Sequence, residues 1–154
     1  MNRQQKYPDT NTFHFYNANP KNKYTNDCVI RAISTALEQS WEQTIKELTE
    51  LGIKYGYVYD DTKCYERYLK SKGWVKHKQP RKNDNTKYTG KEFCKILDED
   101  ILAVGKSVIA HIGGHHIVCI KETEDYGFHK IYDTWDSTDG CIGNFWIYER
   151  IKQA

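Results

Sequence analysis

"DCVIRAISTALEQ", residues 27–39, decides the fold. Val29, Ile30, Ala32, Ile33, Ala36 and Leu37 recur at helical spacing, which predicts a helix with one wide apolar face. Asp27 occupies the N-cap position, so Cys28 opens the first turn. A thiol there meets unsatisfied backbone N–H groups and the positive end of the helix macrodipole, both of which favour thiolate. Such sites lower a cysteine pKa from about 8.5 to roughly 3.5–7.5. Cys28 is therefore the candidate nucleophile, although a free cysteine is also commonly a small buried hydrophobe, and a partner base has to decide between the two. The neighbouring Asp27 would oppose the thiolate if it faced the sulfur, so its carboxylate is expected to turn back and cap the helix.

Working outward, residues 1–26 are rich in Asn, Lys and Tyr, lack periodicity and read as an extended lead-in. Three more helices follow Cys28. "SWEQTIKELTELG" carries a capping box at Ser40 and Gln43 and a C-terminal stop at Gly52. "DTKCYERYLKSKG" ends near Gly73, and "TGKEFCKIL" has a second capping box at Thr89 and Glu92. From Ser107 the texture changes to the short β-branched and aromatic runs "SVIAHI", "HHIVCI", "HKIYDTW" and "NFWIYERI". Helices first and an antiparallel sheet afterwards is an α+β organisation. The expected division of one 1–154 domain is a lead-in at 1–26, a mainly helical half at 27–105 and a sheet half at 106–152.

With 154 residues the chain is long enough to bury a core and a site within it. A net charge of +2 gives no strong field toward nucleic acid or an anionic membrane, and "KHKQPRKNDNTK", residues 76–87, reads as a solvated basic loop. The N-terminus has no apolar targeting core and no run approaches the length of about 18 apolar residues that spanning requires, so a cytoplasmic protein is expected. Five cysteines without a C-x-x-C pair suit free thiols in a reducing compartment.

The base is sought in "GGHHIVCI", residues 113–120. Strand alternation puts His116, Val118 and Ile120 on one face and His115, Ile117 and Cys119 on the other, so one of the two histidines points at the helix. The same alternation argues against a zinc clamp built from His111, His115, His116 and Cys119. The next strand ends in "IYDTWDS", offering Asp133 or Asp136 to orient an imidazole. His111 and His129 read as satisfied sheet histidines, and Cys64, Cys94, Cys119 and Cys141 as packing.

A cysteine opening a central helix, a histidine followed by an apolar strand and "DTW" on the next strand together resemble the papain-like cysteine peptidases. "NPKNK", "DCVIRAIS", the Gly-His-apolar strand and "YDTWDS" are similar to small papain-like proteins of phages and their bacterial hosts, over residues 19 to about 148. The resemblance implies a papain-like fold and a catalytic set of Cys28, His116 and Asp133, with His115 as the spare histidine. It implies that Trp135 shields the Asp133–His116 bond from water. It also implies an amide donor ahead of the cysteine, a place that Asn22 fills by residue type. The activity implied is acyl transfer on a peptide, protein or small amide, with no cofactor. The alternative is a catalytically silent papain-fold binding protein, such as a phage-encoded inhibitor of a host factor.

Overall fold

The computed structural model describes residues 1–100, 106–123 and 127–149. The expected boundary between the two halves, near 105, and Arg150 and Ile151, where the last strand was expected to end, lie outside them. Among the described residues the order is α1 (Arg3–Lys6), β1 (Phe13–Phe15), α2 (Cys28–Leu37), α3 (Trp41–Tyr55), α4 (Thr62–Ser71), β2 (Trp74–His77), α5 (Gly90–Glu99), β3 (Val108–Ile112), β4 (His116–Glu122), β5 (His129–Asp133) and β6 (Ile142–Tyr148). The α+β organisation stands: helices pack on a six-stranded sheet of order β1-β5-β4-β3-β6-β2.

Helix α2 buries Val29, Ile30, Ala32, Ile33 and Ala36, the stripe its spacing predicts. They pack with Leu48 of α3, Tyr65, Tyr68 and Leu69 of α4, and the sheet residues Ile109, Ile117, Cys119 and Trp146. Each of the fully enclosed isoleucines, Ile30 and Ile33, contributes about 1.5–3 kcal/mol by leaving water. Helix α5 covers the other face with Phe93, Cys94 and Leu97 against Val108, Ala110, Ile112, Val118, Ile120, Ile131 and Ile142. The sheet is thus covered on both faces, and the period-2 alternation of β3 and β4 sorts their residues between two cores.

Three expectations are corrected. Residues 1–26 are not merely a lead-in: they form α1 and β1, and β1 pairs in parallel with β5 so that Phe15 lies opposite Asp133. A three-residue strand among turn formers has too few positions to display a period, and its partner is more than a hundred residues away, which no local pattern reveals. Strand β2, an edge strand on β6, likewise falls inside the half expected to be helical, so strands are not confined to the C-terminal part and the sheet is not wholly antiparallel.

The third correction is at Gly52, which does not stop α3. The helix continues to Tyr55 and ends on Gly56 in the left-handed conformation, φ 80°. Gly52 is buried, and a Cβ there would lie 2.2 Å from the carbonyl oxygen of Tyr57. A close approach, not a turn, is what requires the glycine. Ser40 caps α3 through the Gln43 N–H, but the Gln43 side chain bonds Glu47 instead of closing the box; Thr89 and Glu92 form the full box on α5.

Candidate active site

Helix α2 delivers Cys28 half-buried in its first turn, and the β3–β4 hairpin delivers the histidines. Gly113 and Gly114 make that hairpin possible by taking positive φ values of 62° and 92°, and His116 is the first residue of β4 after the turn. His115 stays in the turn and is exposed. It does not lie on the opposite sheet face as expected, but lines the same cleft as His116.

The face argument needs a second correction. The side of β4 that packs against α2 carries Ile117 and Cys119, while Val118 and Ile120 pack toward α5. His116 shares parity with the latter pair, yet its imidazole interacts with the Cys28 side chain and lines the same cleft. Alternation describes the interior of a strand; the first residue of β4 sits at the sheet's end, where the start of α2 is within reach of either face.

His116 Nε2 lies 2.5 Å from Asp133 Oδ2. A carboxylate only accepts, so Nε2 carries the proton, and Nδ1 is the nitrogen left for the sulfur. Burial works against charge on His116, but the hydrogen bonds with Asp133 and with Cys28 outweigh it and push the imidazole up to about 9. The Trp135 ring lies 4.9 Å from the His116 ring between centroids, at a tilt of 38°. Asp136 is elsewhere: its Oδ1 accepts from the Thr138 N–H and hydroxyl, closing the loop after β5.

Asp133 is enclosed, and its other oxygen accepts from Arg31 Nη1 at 2.8 Å and from the Thr134 N–H at 2.7 Å. Its backbone is also held, since the Asp133 carbonyl accepts from the Tyr16 N–H at the end of β1. Arg31 went unnoticed in the sequence. Its position on α2, three residues after Cys28 and four after Asp27, is the signal that would have found it.

Asp27 does not cap α2 with its side chain. Arg31 Nε donates to its Oδ1 at 2.8 Å, while Trp41 Nε1 at 3.0 Å and Asn19 Nδ2 at 3.2 Å donate to Oδ2. Three donors hold this buried carboxylate, and a buried charge goes where its partners are. Burial depresses the Arg31 guanidinium, but the attraction of Asp133 and Asp27 prevails and raises it.

A cleft of about 520 Å³ opens over these groups, lined in part by Cys28, Arg31, His115, His116, Thr134 and Trp135. Asn22 is not brought to it. That residue is exposed in a turn at φ 53° with its side-chain oxygen near the Asn17 amide, and Asn26 lines the cleft instead. A second hollow of about 460 Å³, at the far end of α2 between Leu37, Lys72, Trp74 and Tyr148, holds neither thiol nor imidazole.

The remaining candidates are separated. His111 Nε2 meets the Tyr65 hydroxyl at 2.6 Å, and burial, then Lys76, lower its pKa. His129 is buried against Asp98, with Nδ1 2.9 Å from Oδ1. Cys64, Cys94 and Cys119 are buried, and burial pushes the last two up to about 12. Cys141 is exposed, contrary to the packing role expected, and its backbone forms an isolated bridge with Thr89. In the basic run, Lys76 and Lys82 are paired with Glu66 and Glu92.

Comparison with protein-family models, curated proteins and solved structures returns no match to this chain. Among the described residues no helix is long and apolar enough to cross a membrane.

Proposed function

We propose that this protein is a cysteine-dependent hydrolase of papain-like type, acting on an acyl group of a peptide, protein or small amide. The observation that carries the reading is the unbroken contact chain Cys28–His116–Asp133, with the acid at 2.5 Å from the outer imidazole nitrogen. In this reading His116 Nδ1 takes the Cys28 proton and the sulfur attacks the acyl carbon. The carbon–sulfur bond forms, the carbon–nitrogen bond breaks, and His116 returns the proton to the departing amine. Water, deprotonated by His116, then cleaves the thioester and restores the thiol.

Asp133 keeps Nε2 protonated and stabilises the imidazolium, the part that the third group of such a triad plays. Because Asp27 does not cap α2, the Cys28 backbone N–H is not taken up by that carboxylate, and it is the proposed donor to the oxyanion. Asn26, which lines the cleft, takes the place that Asn22 was expected to fill.

The test is the rate of Cys28 alkylation by iodoacetamide at pH 6. An ordinary thiol of pKa about 8.5 is less than about 1% thiolate there. A Cys28 rate at least about tenfold above that of a simple thiol, lost in His116→Ala, supports the hydrolase. A rate equal to the simple thiol and unaffected by His116→Ala refutes it and leaves the cleft to the silent binding protein.

A further inference from the structure

The cleft over Cys28 contains a guanidinium that no carboxylate among the described residues neutralises. Arg3, on the short helix α1, crosses to the sheet and donates through Nε to the Thr134 carbonyl at 2.7 Å, one residue beyond Asp133. Its guanidinium carbon sits 4.7 Å above the Tyr24 ring, and Tyr24 lines the cleft too. The two contacts fix the plane of the group. Its terminal nitrogens have no acceptor among the described residues.

The contrast with Arg31 is informative. Arg31 also lines the cleft, but its fork is used up by Asp27 and Asp133, so it presents no charge that needs an anion. Asp60 lines the cleft as well and makes no ion pair with Arg3 among the described residues, so the two charges stand apart. A planar, oriented guanidinium with its terminal donors open is the geometry that takes a carboxylate in two parallel hydrogen bonds.

We propose that Arg3 is a substrate-binding residue and that the substrate is an acyl compound carrying a free carboxylate, such as an amide or short peptide with its terminal carboxylate near the scissile bond. This rests on Cys28 being the nucleophile, as proposed above. Asp60 would repel that carboxylate at its own position, which leaves the Arg3 side of the cleft for it.

Iodoacetate and iodoacetamide test this, because they share a leaving group and nearly a shape but differ in a carboxylate. Their rates with Cys28 would be measured at low ionic strength for wild type, Arg3→Gln and Arg3→Lys, the modified residue being identified by mass spectrometry. The iodoacetate-to-iodoacetamide ratio should fall about fivefold in Arg3→Gln, recover partly in Arg3→Lys, and decline for wild type in 1 M salt, the scale and screening of one solvent-facing charge pair. An unchanged ratio in Arg3→Gln overturns the proposal, and so does an equal loss in Arg3→Lys, which would make Arg3 a tether for α1. The ratio is informative even if the absolute rates are those of an ordinary thiol, an outcome that would instead sink the hydrolase reading.

Discussion

Arg31 Nη1 donates to Asp133 Oδ1 at 2.8 Å, and the other oxygen of the same carboxylate faces His116. One residue of the helix that carries Cys28 therefore holds the carboxylate that faces His116. The thiol, imidazole, carboxylate and guanidinium are joined by contact, and the guanidinium returns to Asp27, the residue beside the thiol. That return explains how an acidic neighbour is tolerated at Cys28: its charge is matched by Arg31 and its oxygens are spent on three donors.

Removing the guanidinium leaves buried Asp27 without a cation and leaves Asp133 with His116 alone. Arg31→Met, of similar length, should cost about 3–5 kcal/mol, as breaking buried ion pairs does. Arg31→Lys keeps the charge, but a single ammonium cannot reproduce the fork, so an intermediate loss is expected. Urea unfolding of the three proteins decides it: equal midpoints would mean that the Arg31 contacts contribute nothing.

Asp133 and Asp136 stand three residues apart in the sequence and have unlike partners in the structure. Asp133→Asn keeps an oxygen toward His116 but removes the negative charge that raises it, so the imidazole pKa should fall from about 9 toward its ordinary value. The Cys28 alkylation rate at pH 6 should drop at least about tenfold with it. Asp136→Asn loosens only the Thr138 turn and should change the rate less than about twofold. Equal effects of the two substitutions would reverse the assignment of the acid.

What the sequence disclosed is what local pattern encodes: the stripe of α2, the Thr89 capping box and the four C-terminal strands. Cys28, His116 and Asp133 were legible because each sits at an element's end, where turn signals and chain chemistry coincide. Arg31 was hidden because its partners are an i,i−4 neighbour that was assigned a capping role and an aspartate 102 positions away. Strand β1 was hidden for the same reason, since a parallel pairing of three residues is written wholly in its distant partner. The face that His116 uses was misjudged because alternation fixes parity but not which parity meets the helix.

Gly52 tests the packing of α3 on the loop that follows it. A methyl group there would collide with the Tyr57 carbonyl, which is backbone and cannot rotate away. Gly52→Ala, though favourable for an isolated helix by roughly 1 kcal/mol, should destabilise the protein by about 1–3 kcal/mol, the usual cost of overpacking. Thermal unfolding followed by circular dichroism reads the sign directly, and a raised midpoint would show that the close approach does not exist in solution.

The raised pKa of His116 makes a further prediction about stability against pH. The imidazole goes from an ordinary 6.5 to about 9 on folding, so the folded state binds the proton more tightly than the unfolded chain. Its contribution is therefore complete below about pH 6.5 and is lost as pH rises through about 9. The rise from 6.5 to about 9 corresponds to roughly 3 kcal/mol. His116→Gln retains a polar side chain but cannot titrate, so the gap between wild type and variant should be largest at pH 6 and nearly gone by pH 10. Urea unfolding of both proteins at pH 6, 8 and 10 measures that gap. A gap that stays constant across the series would mean that His116 is not held as an imidazolium by Asp133 and Cys28 in the folded protein.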